Sequence, residues 1–178
     1  MSRTTRLEFT RGAIDTIPLI VGAIPFGIIY GTLSQSSDLS IYGALALSSI
    51  VFAGSSQFVA LGLIASGSSI FIIIATTFLI NLRHLLYSFS LRQHLSHLPQ
   101  KWKIPLSFGL TDETFAVTFK HYSDNSSHNL KHWYFLGSFI FFYLNWQICT
   151  ITGIIFGSSF PEIKNWELNS LCQPHSLV

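Results

Sequence analysis

Four long apolar stretches constrain this 178-residue chain more than anything else in it. A helix that crosses a bilayer needs about 20 predominantly apolar residues, because each adds about 1.5 Å against a hydrocarbon core near 30 Å. Thr16–Leu33 carries no charge and follows Asp15, and Ile41–Ser66 holds only Gln57 and small polar residues. Ser69–Leu91 is apolar at both ends but interrupted by Asn81, Arg83 and His84, and Trp133–Phe160 has Asn145, Trp146 and Gln147 near its middle. Between them Ile104–Phe119 is shorter, mildly apolar, and contains Asp112 and Glu113. The expected fold is all-α: a polytopic helical membrane protein of about four to five membrane segments, with a possible re-entrant or broken helix. The chain divides into a cytoplasmic N-terminal segment (1–15), a transmembrane helical domain (16–160) and a short polar tail (161–178).

Composition agrees. Charged residues make up 10% of the chain, against about a quarter in soluble domains, too few to clothe a soluble core of this size. A formal net charge of +2 without a basic run argues against nucleic-acid binding. Cys149 and Cys172 make neither a disulfide framework nor a zinc spacing, and Cys149 reads as a free buried thiol. The first apolar run has no small-residue cleavage site and is expected to stay as a span.

Arg3, Arg6 and Arg11 near the N-terminus and Arg92, Lys101 and Lys103 in the segment 92–103 are the basic clusters. The positive-inside rule puts both in the cytoplasm. Three successive crossings would put them on opposite sides. The conflict disappears if Ile41–Ser66 folds back at Gly54-Ser55-Ser56 as a re-entrant hairpin, since irregular backbone is tolerated at membrane depth where protein buries it; a simple long span with the basic loop outside is the alternative. Ala23, Gly27 and Gly31, and Gly153 and Gly157, recur at four-residue spacing and suit close helix approach. The sequence offers no convincing internal repeat.

An ionisable side chain at membrane depth costs about 2.5–3.5 kcal/mol even on insertion scales, so Arg83 and His84 need stabilising partners. Asn81, His84 and Ser88 share one helix face, with Arg83 and Tyr87 on the adjacent one. The next carboxylates are Asp112 and Glu113, so Arg83 either meets one of them or snorkels to the interface. Thr111-Asp112-Glu113-Thr114 suits the first turn of a helix, and a half-helix that starts at depth is a common way to build a transport site. An amino acid ligand there would draw donors for its carboxylate from the backbone at Gly54, Ser55 and Ser56, and acceptors for its ammonium from Asp112 or Glu113. Pro25 either kinks the first span or frees a carbonyl for a ligand. Asn145 and Gln147 fit helix–helix hydrogen bonds. No P-loop is present, so ATP is not bound that way, and no cofactor is expected.

Four ordered blocks carry a resemblance: Asp15-Thr16-Ile17-Pro18 with Ile24-Pro25-Phe26-Gly27; Val51-Phe52-Ala53-Gly54-Ser55-Ser56-Gln57-Phe58; Asn81-Leu82-Arg83-His84-Leu85-Leu86-Tyr87; and Thr111-Asp112-Glu113-Thr114-Phe115. Over roughly residues 10–165 the chain resembles the AzlC-like family of branched-chain amino acid exporters. The resemblance implies export of valine, leucine, isoleucine and analogues across the bacterial cytoplasmic membrane, together with a small hydrophobic AzlD-like membrane subunit. The substrate and ion pathway expected on the four blocks runs through Pro25, Gly27, Gly54, Ser55, Ser56, Gln57, Asn81, Arg83, His84, Tyr87, Thr111, Asp112 and Glu113. Family members continue into further apolar helices past the position of Pro161, so the tail here reads as a truncation or shifted frame. That leaves a non-transporting accessory or inactive subunit as a second reading. A third is a membrane enzyme with a histidine-bound metal, since His94 and His97, and His128 and His132, have helical ligand spacing.

Overall fold

The computed structural model describes residues 3–37, 39–124 and 130–159. Among those residues there are eight helices and no strand: α1 (Arg3–Ser34), α2 (Ile41–Ile50), α3 (Gly54–Ala65), α4 (Ile70–Asn81), α5 (Arg83–Leu95), α6 (Gln100–Phe108), α7 (Asp112–Asp124) and α8 (Lys131–Ser159). Cys172, His128 and the tail 161–178 lie outside the described residues. Three helices are long and apolar enough to cross a membrane: α1, α8, and α4 with α5 taken together over Ile70–Leu95.

Helices α1 and α8 form the most extensive pair and run in the same direction, Gly12 lying against Tyr134 and Ser138 at one end and Gly31 against Thr150 and Gly153 at the other. Their seam is built on missing side chains. A Cβ on Gly12 would strike the Tyr134 carbonyl, one on Gly137 the Phe9 carbonyl, one on Gly31 the Thr150 carbonyl and one on Gly153 the Ile28 carbonyl. In lipid there is no hydrophobic drive between helices, so such backbone contact, with its dispersion gain, is what holds them together. Hydroxyls stitch the same seam: Thr16 Oγ1 donates to Ser138 Oγ at 2.7 Å and Thr32 Oγ1 to the Gly153 carbonyl at 3.1 Å. Helix α1 continues through both Pro18 and Pro25.

Two hairpins dip into this frame from opposite ends. Helix α2 starts near the end of α1, where the Tyr30 hydroxyl donates to the Ala44 carbonyl (2.9 Å). It descends along α8 through Ser48–Thr150 (3.0 Å) and Ser49–Gln147 (3.2 Å) contacts. At Val51–Ala53 the helix breaks, and α3 returns past Tyr30, whose ring lies edge-on to Phe58 at 6.1 Å. Gly67, at φ +68°, closes α3 in the left-handed conformation that spares a side chain strain, with the Ser68 N–H on the Leu63 carbonyl. Helices α4 and α5 then run the full length to the other end, Leu91 packing with Tyr134 and Phe135, and His94 meeting Lys131.

From that end α6 climbs, starting with Trp102 against Trp133 and finishing with Phe108 and Gly109 against Phe139. Helix α7 descends again, so that the Tyr122 hydroxyl reaches the Lys131 carbonyl at 2.6 Å. Ile41–Ser66 is thus a hairpin, but it turns at Val51–Ala53 and not at Gly54-Ser55-Ser56, which form the first turn of α3; the arginines of the first α1 turns lie at the same end of the bundle as residues 92–103. Ile104–Phe119 is not one broken crossing but the inner arms of a second hairpin with its apex at 109–111. The sequence hides this because each arm, taken alone, is too short and too polar to register as a span.

A repeat absent from the sequence reading emerges at the seam. Gly27-Ile28-Ile29-Tyr30-Gly31 on α1 and Gly153-Ile154-Ile155-Phe156-Gly157 on α8 are nearly the same pentapeptide, and the two lie side by side. No residue of α4 is buried, and Phe71, Ile74, Phe78 and Leu79 point outward, as suits a surface in contact with acyl chains.

Single cysteines at Ser40 and Ser68, which flank the first hairpin, are expected to react with an impermeant maleimide from the same membrane face in a chain with its own cysteines replaced. Reaction from opposite faces would reject the first hairpin. Gly31→Leu is expected to cost at least the 1–3 kcal/mol, roughly, of an overpacked interior, because the atom in the way is backbone; a lowered melting temperature in detergent is the readout.

Candidate functional site

The two apices meet. Phe52, at the tip of the first hairpin, stacks on Phe108 of the second at 6.1 Å and lies 4.8 Å from the Tyr143 ring. Beside this aromatic contact a third irregularity falls at the same depth. Helices α4 and α5 are separated at Leu82, whose N–H reaches back only three residues to the Leu79 carbonyl (3.2 Å), a tightened 3₁₀ step. Arg83 is the first residue after that step, which aims its side chain into the junction.

Arg83 Nη1 lies 2.6 Å from Asp112 Oδ2, and Nη2 donates to Ser55 Oγ at 2.8 Å. The other Asp112 oxygen accepts from the Tyr87 hydroxyl at 2.6 Å. One guanidinium therefore ties the start of α5 to the start of α3 and the start of α7. The Tyr87 ring also stacks on Phe115, centroids 4.4 Å apart. Of the two readings of Arg83, the ion pair is the one the fold adopts.

Both half-helices present their N-termini here. Helix α7 is closed by its own threonines: the Thr111 N–H donates to Thr114 Oγ1 (2.8 Å) and the Thr114 N–H to Thr111 Oγ1 (3.3 Å), a reciprocal cap with threonine in the place usually held by Glu. Asp112 and Glu113 occupy its first turn, where the helix dipole favours negative charge. Helix α3 differs. Its N-cap is Ala53, which offers no side-chain acceptor, so the first N–H groups of α3 are uncapped beside Arg83.

A cavity of about 60 Å³ lies between these elements. Its lining is both polar, from Gly54, Ser55, Arg83, Thr111, Asp112 and Glu113, and aromatic, from Phe52, Phe142 and Trp146. This is far below the roughly 300–1,000 Å³ of pockets that hold small molecules. The conformation is a closed one, and anything larger than water or a small ion requires the apices to part. Unused hydrogen-bonding capacity surrounds it. Gln57 is fully buried with both amide atoms unpartnered, and Arg83 Nε, Asn81 Oδ1, His84 Nε2 and Trp146 Nε1 are buried without hydrogen-bond partners among the described residues.

Gly54, Ser55, Arg83, Tyr87, Thr111, Asp112 and Glu113 thus come together. Ser56 and Gln57 sit one step behind on α3, Ser56 with its hydroxyl on the Ala53 carbonyl (2.9 Å), and Asn81 and His84 flank Arg83, the imidazole Nδ1 2.9 Å from the Asn81 carbonyl. Pro25 is not brought to the junction: it faces outward, while Gly27 packs against Cys149 in the α1–α8 seam. Gln147 holds α2, as a helix–helix hydrogen bond, and Asn145 accepts only from Cys149 within α8, at 3.8 Å. Phe52, Phe142 and Trp146, which form the apolar wall, were not singled out by sequence. An indole in the middle of a span, flanked by two amides, was the available signal.

No three histidine, cysteine or carboxylate side chains gather as a metal set among the described residues. His94 instead meets Lys131 Nζ at 3.0 Å, and His132 packs on Trp102 at 4.7 Å.

Residues 18–160 match the family model described as AzlC protein. The Inner membrane protein YgaZ of Escherichia coli (strain K12) is 32% identical over 151 residues, covering 84% of this chain and 61% of its own length. The Branched-chain amino acid transport protein AzlC of Bacillus subtilis (strain 168) is 31% identical over 144 residues, 80% of this chain and 55% of its own length. An uncharacterized membrane protein of Archaeoglobus fulgidus is 34% identical over 155 residues, 85% of this chain and 64% of its own. The chain therefore spans about three fifths of the length of the curated relatives it matches. No solved structure matches it.

Removing one charge of the central pair strands the other. Asp112→Asn and Arg83→Ala are each expected to lower the melting temperature, and the exchange Arg83→Asp with Asp112→Arg to recover part of the loss. A double variant no better than the sum of the singles would mean that the pair contributes nothing as a pair.

Proposed function

The chain belongs to the AzlC family, and from that premise we propose that it is the membrane-embedded transport subunit of an exporter of branched-chain amino acids (valine, leucine, isoleucine) and analogues. The observation that supports this most directly is the lining of the cavity at the hairpin tips, which combines charged groups with aromatic ones. A branched-chain amino acid is a zwitterion with a short apolar branch, and the lining offers a counterpart to each part. Its carboxylate pairs with Arg83 and the uncapped N–H groups at Gly54 and Ser55. The ammonium goes to Asp112 and Glu113, with the Tyr87 hydroxyl alongside. The branch lies on Phe52, Phe142 and Trp146.

In the closed state Arg83 and Asp112 satisfy one another, which removes the cost of two unpaired charges at depth. Substrate enters by exchange: its two charges replace each member of the pair for the other, so the charge balance of the site is kept while the hairpin apices separate. Asn81, His84 and Gln57 supply the buried hydrogen-bonding groups that such a separation exposes.

The chain is a multi-pass protein of the bacterial cytoplasmic membrane. Its N-terminus and the segment 92–103 face the cytoplasm, in keeping with their arginines and lysines. A small hydrophobic AzlD-like subunit is the partner, and no cofactor takes part. A second reading is an accessory subunit that does not itself transport.

Efflux of labelled leucine from preloaded cells, with and without the small partner, separates the two. Export above the empty-vector rate supports the transport reading. Arg83→Ala and Asp112→Asn are expected to reduce it more than about tenfold, the loss of one charge-assisted contact being worth about 1.5–3 kcal/mol. Phe52→Ala is expected to shift preference among valine, leucine and isoleucine instead. Unchanged export in Arg83→Ala would remove the site from the pathway.

A further inference from the structure

A second buried ionic cluster lies toward the N-terminal end of α1, well below the junction. Glu8 of α1 is 9% exposed and His121 of α7 is 6% exposed, with Oε2 and Nε2 3.7 Å apart. This is ion-pair range but beyond a hydrogen bond. The imidazole lies flat on the Tyr134 ring of α8, centroids 3.7 Å apart and planes within 4°. The Tyr134 hydroxyl donates to Asp15 Oδ2 at 2.7 Å. A cavity of about 420 Å³, lined in part by Asp15, His121 and Tyr134, opens beside them, with Arg11, Lys120 and Asp124 around it.

We propose that Glu8 and His121 form a proton-binding site, fed through this cavity, that couples proton movement to the mid-depth junction by way of α7. The proposal rests on the transport reading and adds to it the coupling ion. At this distance a carboxylate and an imidazole can hold one proton between them. Uptake of a second from cavity water leaves neutral Glu8 beside a charged His121, and loss of the first leaves charged Glu8 beside a neutral ring. Either change ends the attraction between α1 and α7. Salt bridges buried this well add little stability over an apolar packing, so a carboxylate and an imidazole kept in this interior call for another role.

The lever is α7 itself. Nine positions separate Asp112 from His121, about 13 Å of continuous helix, so a shift at one end is delivered to the other. Its upper end holds Asp112 against Arg83, and its lower end holds His121 against Glu8. The neighbouring charges leave this pair as the switch. Arg11 already faces Asp15 at 3.9 Å, and Asp15 accepts from Tyr134. Tyr122 donates to the Lys131 carbonyl, while the Lys131 ammonium reaches His94 from α5. Lys120 and Asp124 are exposed at the cavity mouth.

The test is leucine flux through the purified full chain, reconstituted together with its small partner in phospholipid vesicles, at equal pH and under an imposed pH gradient. Wild type is expected to run several-fold faster under a gradient that carries protons inward from the opposite side. Glu8→Gln and His121→Gln are expected to lose the acceleration while retaining equal-pH flux, with melting lowered because each leaves its buried partner unpaired; Asp124→Asn is expected to keep the acceleration and the melting temperature. A wild type indifferent to the gradient, or a Glu8→Gln variant that still responds fully, overturns the proposal. If wild type moves no leucine at all, the transport reading fails instead. The proton site is then decided by difference titration between about pH 5 and 8: a proton exchanged by wild type and missing from Glu8→Gln supports it, and superimposable curves overturn it.

Discussion

A peptide group inside a bilayer has no water to bond to, so each break in a helix must be sheltered by other protein. Among the described residues three such breaks, at Val51–Ala53, at Leu82 and at 109–111, come together where the hairpin tips meet. Each makes the others tolerable. Arg83 donates to the Ser55 hydroxyl in the first turn of α3 and pairs with Asp112, whose negative charge suits the first turn of α7. Remove Arg83 and two helix termini and an acid are left without their common neighbour. The paired hairpins, the position of the α4–α5 step and the small cavity all follow from satisfying that one requirement.

Much of this was legible in the sequence, for identifiable reasons. The long spans announce themselves because hydrocarbon thickness sets a length that few soluble segments reach. The first hairpin was readable from a contradiction: two arginine-rich and lysine-rich segments that charge placed together and simple counting placed apart. The Arg83–Asp112 pairing was readable because a cation at depth demands a partner and few acids are available. Thr111 through Thr114 already had the composition of a helix start.

What escaped detection depended on distance in the chain. The second hairpin was missed because its arms are individually unremarkable, and only Phe108 lying on Phe52 and Gly109 pressed under Phe139 show where its tip goes. The aromatic wall of Phe52, Phe142 and Trp146 draws on elements some 90 positions apart. Glu8 and His121 gave no local sign of each other for the same reason. The role of Gly12 and Gly137 in the seam depends on which carbonyl each opposes, a matter of register between helices that no periodicity within one helix records.

The parallel seam between α1 and α8 has a mechanical consequence. Its glycines interlock with carbonyls on the facing helix from Gly12 to Gly31, so sliding by even part of a turn would drive backbone into backbone. The two helices behave as one rigid post, and neither can rock against the other. Motion has to be distributed between the two hairpins, which enter from opposite faces and meet against that post. On the proposed transport reading the molecule resembles a canal lock with one fixed wall and two gates latched together by Arg83, and releasing that latch, and not any tilting of halves, would open the way.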